Sequence, residues 1–172
     1  MDSPTYILIF TKAAVLLVAY LLSIGLGVLI HELGHAAMAL LLTKQTVSLR
    51  VGNSETAKKI RFGRLELTLS LRGFRYGSTS YDRSQESLST QIIVALSGPL
   101  GSLLAIVFAF IFVSTVSREG VLWLLLLSFF VANFRILLVA LWPIKYRPNK
   151  ESDEVWLSDG LDIWRMLRQN KG

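Results

Sequence analysis

The stretch "GLGVLIHELGHAAMALLLT", Gly25 to Thr43, reads as a membrane span interrupted by two histidines and a glutamate. His31 and His35 are four residues apart, so on a helix both imidazoles leave the same face about one turn apart. That spacing lets both bind one metal ion. Glu32 projects from the next position round, within reach of a water on that metal rather than of the metal itself. Hydrolytic zinc enzymes use this arrangement, with the glutamate as general base and the zinc lowering the pKa of the water to roughly 7. A charged carboxylate at membrane depth costs several kcal/mol unless something compensates it. A divalent cation answers all three groups at once. The rival reading, a histidine pair satisfied by backbone hydrogen bonds, still needs a partner for Glu32.

The surrounding sequence is that of a membrane protein. Of 172 residues, 52% are hydrophobic, against about 45–50% in soluble domains on a count that also includes glycine. The excess collects in three apolar blocks, about 6–43, 90–117 and 120–143. The first is too long for a simple span across a roughly 30 Å hydrocarbon core. It is also too long for a signal peptide, although Lys12 precedes an apolar run. Only Arg118-Glu119 separates the last two blocks, which predicts an antiparallel helix hairpin. The absence of cysteine excludes disulfides, thiolate metal sites and a thiol nucleophile. The net charge of +6 sits beside the apolar blocks, which favours a bilayer over nucleic acid as its partner.

Basic residues set the orientation. Segment 44–89 carries Lys44, Arg50, Lys58, Lys59, Arg61, Arg64, Arg72, Arg75 and Arg83, and the tail after Pro143 carries six more. This predicts a multi-pass protein of the cell membrane with the loop and C-terminus cytoplasmic. Reporters near Lys58 and Lys150 would then be inside and those near Glu119 outside. Within the loop, "VSLRV" and "RLELTLSLR" alternate with period two, Leu65, Leu67, Leu69 and Leu71 falling on one face. With "VGNSETAKK" as turn residues, they predict a small membrane-associated antiparallel β-sheet ending in "RGFRYGSTS". The fold class is therefore mainly α and polytopic: three transmembrane helices, a sheet between the first and second, and one core spanning 1–172.

Two histidines leave a third ligand to find. On this orientation His31 lies in the cytoplasmic half of its helix, and the tail offers Glu151, Asp153, Glu154, Asp159 and Asp162. Asp159 in "SDG" is the best candidate, since Gly160 permits close backbone approach. The alternative is that Asp159 only caps a short amphipathic helix.

Taken together, these motifs resemble the site-2 protease family of intramembrane zinc metalloproteases along nearly the whole chain. "GVLIHELGHAAMALLLT" is similar to the family's first core helix, "ALSGPLGSLL" to its Gly-Pro motif, and "LWPI" followed by "SDGLDI" to its Pro…Asp-Gly motif. The resemblance implies His31, His35 and Asp159 as zinc ligands, Glu32 as catalytic base, and cleavage of transmembrane or membrane-adjacent segments in regulated intramembrane proteolysis. Two features depart from the pattern. Ala140 stands where the family has an asparagine that holds substrate, the nearest asparagine being Asn133, and the step from Pro143 to Asp159 is long.

Other residues carry open alternatives. Gly98 and Pro99 on the second span either line the substrate path or serve tight helix packing, with Ser97, Gly101 and Ser102. Arg135 either binds a substrate carbonyl or carboxylate or snorkels to the interface. Trp123, Trp142, Tyr146, Trp156 and Trp164 suit an interfacial belt. The edge "RGFRYGS" either pairs with an extended substrate or is a solvated basic loop. Expected partners are a membrane-protein or membrane-peptide substrate and the lipid bilayer, with no nucleic acid. Three spans are few to enclose a wet site, which points to a homo-oligomer or a partner subunit. The rival function is a non-catalytic relative acting as a membrane binding or scaffold protein. A zinc protease of another lineage would need a glutamate on a later helix, and neither later span has one.

Overall fold

A computed structural model describes residues 3–54, 57–118, 120–146 and 155–169. Among the described residues three helices are long and apolar enough to cross a membrane: α1 (Ser3–Leu42), α2 (Leu88–Thr115) and α3 (Val121–Leu141). They fall where the apolar blocks predict. At 1.5 Å per residue, the 40 residues of α1 make a rod of about 60 Å, twice a hydrocarbon core.

The bundle is packed inside out. Its buried positions are small: Ala19, Ala36, Ala39, Ala95, Ala105, Ala109 and Ala132, with Ser23, Ser97, Ser102 and Ser128. The large side chains face outward, among them Phe10, Leu22, Leu104 and Leu122. In lipid this costs nothing, because acyl chains are as apolar as leucine, and small residues let the helix backbones approach closely. Contacts fix the directions. Ser128 lies against the Leu16 carbonyl and Asn133 against Gly27, so α3 runs parallel to α1. His31 meets Ser102 while His35 meets Val94, so α2 runs antiparallel to it.

The sheet comprises β1 (Val47–Val51), β2 (Lys59–Phe62), β3 (Leu65–Leu69) and β4 (Gly77–Ser80), in the order β2-β3-β1-β4. It is mixed rather than wholly antiparallel. β2 folds onto β3 through the two-residue turn Gly63-Arg64, and β3 then lies parallel to β1, pairing Val47 with Leu65 and Leu49 with Leu67. An extra strand, Lys59–Phe62, stands between the segment read as a turn and the second alternating run, and that crossover makes the parallel pair. Val47 and Leu49 are fully buried, and Leu65 and Leu67 pack against the same core. The leucine row of β3 does not stay inside, however. The strand ends at Leu69, and Leu71 is 92% exposed.

Arg64 fastens the sheet to α1. Its guanidinium donates to the carbonyls of Leu40 and Thr43 at 2.7 and 2.6 Å, satisfying acceptors that the helix end leaves open. Beyond α3, Lys145–Tyr146 and Trp156–Leu157 (β5 and β6) pair antiparallel and lead into α4 (Asp159–Gln169). Glu119, Lys150, Glu151, Asp153 and Glu154 lie outside the described residues.

Candidate metal centre

His31, Glu32 and His35 are each buried on α1, on the side facing α2 and β4. α2 orients both rings. The Val94 carbonyl accepts a 2.7 Å hydrogen bond from His35 Nδ1. A carbonyl can only accept, so the proton sits on Nδ1, and in the neutral ring the Nε2 lone pair faces inward. His31 Nδ1 lies 3.0 Å from Ser102 Oγ, which directs its Nε2 to the same place. Such outer partners set the tautomer and angle of ligating histidines. Gly98 makes room, for a side chain there would run into His35 Nε2.

Asp159 comes from the far end of the chain. Ser158 ties the start of α4 to the end of α3: its hydroxyl donates to the Trp142 carbonyl at 2.6 Å, and its amide donates to the Ile144 carbonyl at 3.0 Å. Its hydroxyl also accepts from the Leu161 amide at 3.4 Å. The capping position therefore belongs to Ser158, and the Asp159 carboxylate is left to turn toward the histidines. Gly160 packs directly on the Leu141 carbonyl, where a Cβ would collide with it.

The result is a tight triad. Asp159 Oδ2 is 3.0 Å from His31 Nε2, Asp159 Oδ1 is 3.3 Å from His35 Nε2, and the two Nε2 atoms are 3.3 Å apart. Burial opposes ionisation of Asp159, but in the absence of a cation hydrogen bonds and charge from His31 and His35 in their protonated forms hold its carboxyl down at about 2. It is an anion at neutral pH. Ligand bonds of about 2.0–2.2 Å place the corners of a tetrahedron about 3.3 Å apart. One anionic oxygen and two imidazole nitrogens at these separations thus fit zinc as three protein ligands, with a fourth position open.

Glu32 stands beside the triad. Its Oε2 accepts from the Thr79 hydroxyl at 2.7 Å, so the edge strand β4 sets its orientation. All four groups open onto a cleft of about 820 Å³ between α1, α3, β4 and α4, whose wall also includes Arg135 and Ala140. Of the residues considered for substrate, Arg135 lines this cleft. Asn133 does not: it is fully buried against α1, with its amide donated to the Phe129 carbonyl at 2.9 Å. Gly98 and Pro99 are buried in α2 and are not part of the cleft wall.

The Peptidase M50B-like family model matches residues 5–142. The chain belongs to that family. It is thus a membrane protein of a metalloprotease family, of the site-2 protease type that its motifs resemble, and M50B-like proteins are generally zinc-dependent. The matched region carries His31, Glu32 and His35, the sheet and all three spans. Asp159 lies beyond it, so in this M50B-like chain the third donor rests on geometry alone. No curated protein matches the chain.

Sequence reading passed over Thr79, the Val94 carbonyl and the pairing of Arg83 with Asp162 at 2.5 Å. None has a local signature. Ser158 did have one, as a serine directly ahead of a helix start.

Proposed function

We propose that this chain is an intramembrane zinc endopeptidase that hydrolyses peptide bonds in transmembrane or membrane-adjacent segments, in regulated intramembrane proteolysis. The observation that carries this reading is the convergence of His31, His35 and Asp159 beside Glu32 at the wall of one open cleft. Zinc held by these three residues supplies Lewis acidity and acidifies water. Glu32 takes the proton of the attacking water and returns it to the departing amine, with Thr79 fixing the carboxylate. Among the described residues, β4 has a partner, β1, on one side only. Its other edge suits an extended substrate, which would present its backbone to the cleft by strand addition.

In this reading the substrate is a membrane protein or peptide, the sheet and tail are cytoplasmic, and a second copy or a partner subunit helps to enclose the site. Ala140 favours a second reading, a non-catalytic binding or scaffold relative, because the wall there offers only a methyl group.

Glu32→Gln separates the two. General-base catalysis is worth about 10²–10⁴-fold, so cleavage of reconstituted membrane peptides should fall by about that factor while zinc stays at one per chain. Proteomics of membrane stubs in cells carrying wild type or Glu32→Gln names the substrate. Equal stubs and equal cleavage in both would sink the peptidase reading, and loss of zinc would overturn the role given to Glu32.

A further inference from the structure

The cleft wall holds more cations than it uses. It includes Arg50, Arg75, Arg83 and Arg135, against the carboxylates of Glu32, Asp159 and Asp162. Asp162 is committed to Arg83 at 2.5 Å, Asp159 to the two histidines, and Glu32 accepts from Thr79. Arg50 on β1, Arg75 just ahead of β4 and Arg135 on α3 remain. Each is exposed, and among the described residues no carboxylate lies within 4.0 Å of any of them. Arg75 only stacks on the Tyr76 ring, 5.0 Å from its centroid.

An arginine on a membrane-spanning helix is costly unless water or an anion meets it. Here the arginine of α3 lines the same cleft as Arg50 of β1 and Arg75 of the turn before β4. Guanidinium groups match carboxylates in a planar, two-pronged geometry. We propose that Arg50, Arg75 and Arg135 form an anion-recognition wall, and that the preferred substrate carries an Asp or Glu side chain within a few residues of the bond to be cut. This rests on the peptidase reading for its occupant, though charge selectivity in binding is separable from turnover. A peptide is favoured over a lipid headgroup because the edge strand β4 lines the same cleft and offers backbone hydrogen bonds suited to an extended chain. A peptide laid along β4 would run in the cleft whose wall holds both the arginines and the His31–His35–Asp159 triad.

The test uses full-length Glu32→Gln in phosphatidylcholine nanodiscs. Two labelled transmembrane peptides differ only in one juxtamembrane residue, Asp or Asn, and binding is read by fluorescence anisotropy. The Asp peptide should bind about tenfold more tightly, as expected of a charge-assisted contact, and the preference should shrink at high salt. Arg135→Gln, Arg50→Gln and Arg75→Gln should each reduce the ratio, and Arg135→Glu should turn it toward a Lys peptide. Zinc content identifies variants that have kept their fold, and with three arginines the loss of one variant leaves two. Equal affinity for Asp and Asn peptides would overturn the proposal. So would binding that follows added phosphatidylglycerol regardless of peptide. If wild-type protein cuts neither peptide while Glu32→Gln keeps the Asp preference, the anion wall stands and the peptidase reading fails. If wild type cuts both alike and binding shows no preference, the reverse holds.

Discussion

The two halves of the metal centre are built by different means. His31 and His35 sit one turn apart on a single helix, and their relation is set by helical geometry before any tertiary contact forms. Asp159 is brought to the same point by a separate apparatus: the β5–β6 pair, the Ser158 hydrogen bonds to Trp142 and Ile144, and the Gly160 contact with Leu141. A locally encoded pair tolerates disturbance elsewhere in the fold. A delivered ligand depends on every tie in its chain of support, and damage to the centre should enter by that route.

Asp159→Ser puts the greatest strain on the comparison. Serine caps helices well, so a capping role would leave this variant nearly silent. As a ligand position, its loss should lower zinc affinity by at least about 100-fold, since outer-partner losses alone cost 10–100-fold. Cleavage should fall to background. Metal analysis of the purified variant decides it, with Asp162→Ala as a control that keeps its zinc.

Gly160→Val probes the delivery without touching a ligand. Its side chain would displace α4 from the Leu141 carbonyl, and a shift of about 1 Å in a positioned group can cost about 100-fold in rate. Zinc should be retained more weakly than in wild type, and helix content should be unchanged. Wild-type cleavage in Gly160→Val would mean that Asp159 arrives without this contact.

Ser102→Ala acts on the local half. It removes the partner of His31 Nδ1 while leaving the helix interface small. Zinc affinity should fall by about tenfold, measured by chelator competition, with little change in thermal stability. An equal loss in Ser102→Ala and Asp159→Ser would erase the distinction between the two halves.

What could be read from the sequence follows the same division. The three spans and the HELGH face depend on periodicity and length, which neighbouring residues define. "SDG" could be singled out because a short polar signal stands beside a glycine. The tertiary facts were not legible. A strand at Lys59–Phe62, between the presumed turn and the second alternating run, folds back onto β3 and leaves β1 and β3 parallel. Thr79 reaches Glu32 only because β4 pairs with β1. Arg64, which reads as one more positive charge, closes the end of α1. Asn133 attracts attention as a polar residue near Ala140, but its rotation about α3 turns it into the interface with α1.

The inside-out packing gives this chain two alphabets with opposite freedoms. Outward positions such as Phe10, Leu22 and Leu104 meet a fluid that adapts to any apolar shape, so one hydrocarbon side chain there is as good as another. Inward positions such as Ala39, Ala109 and Ala132 set the distance between backbones, and one added methylene pushes two helices apart. Over evolutionary time the outer alphabet is free to drift with the composition of the host bilayer. The inner alphabet is held in place by the geometry of three ligand atoms.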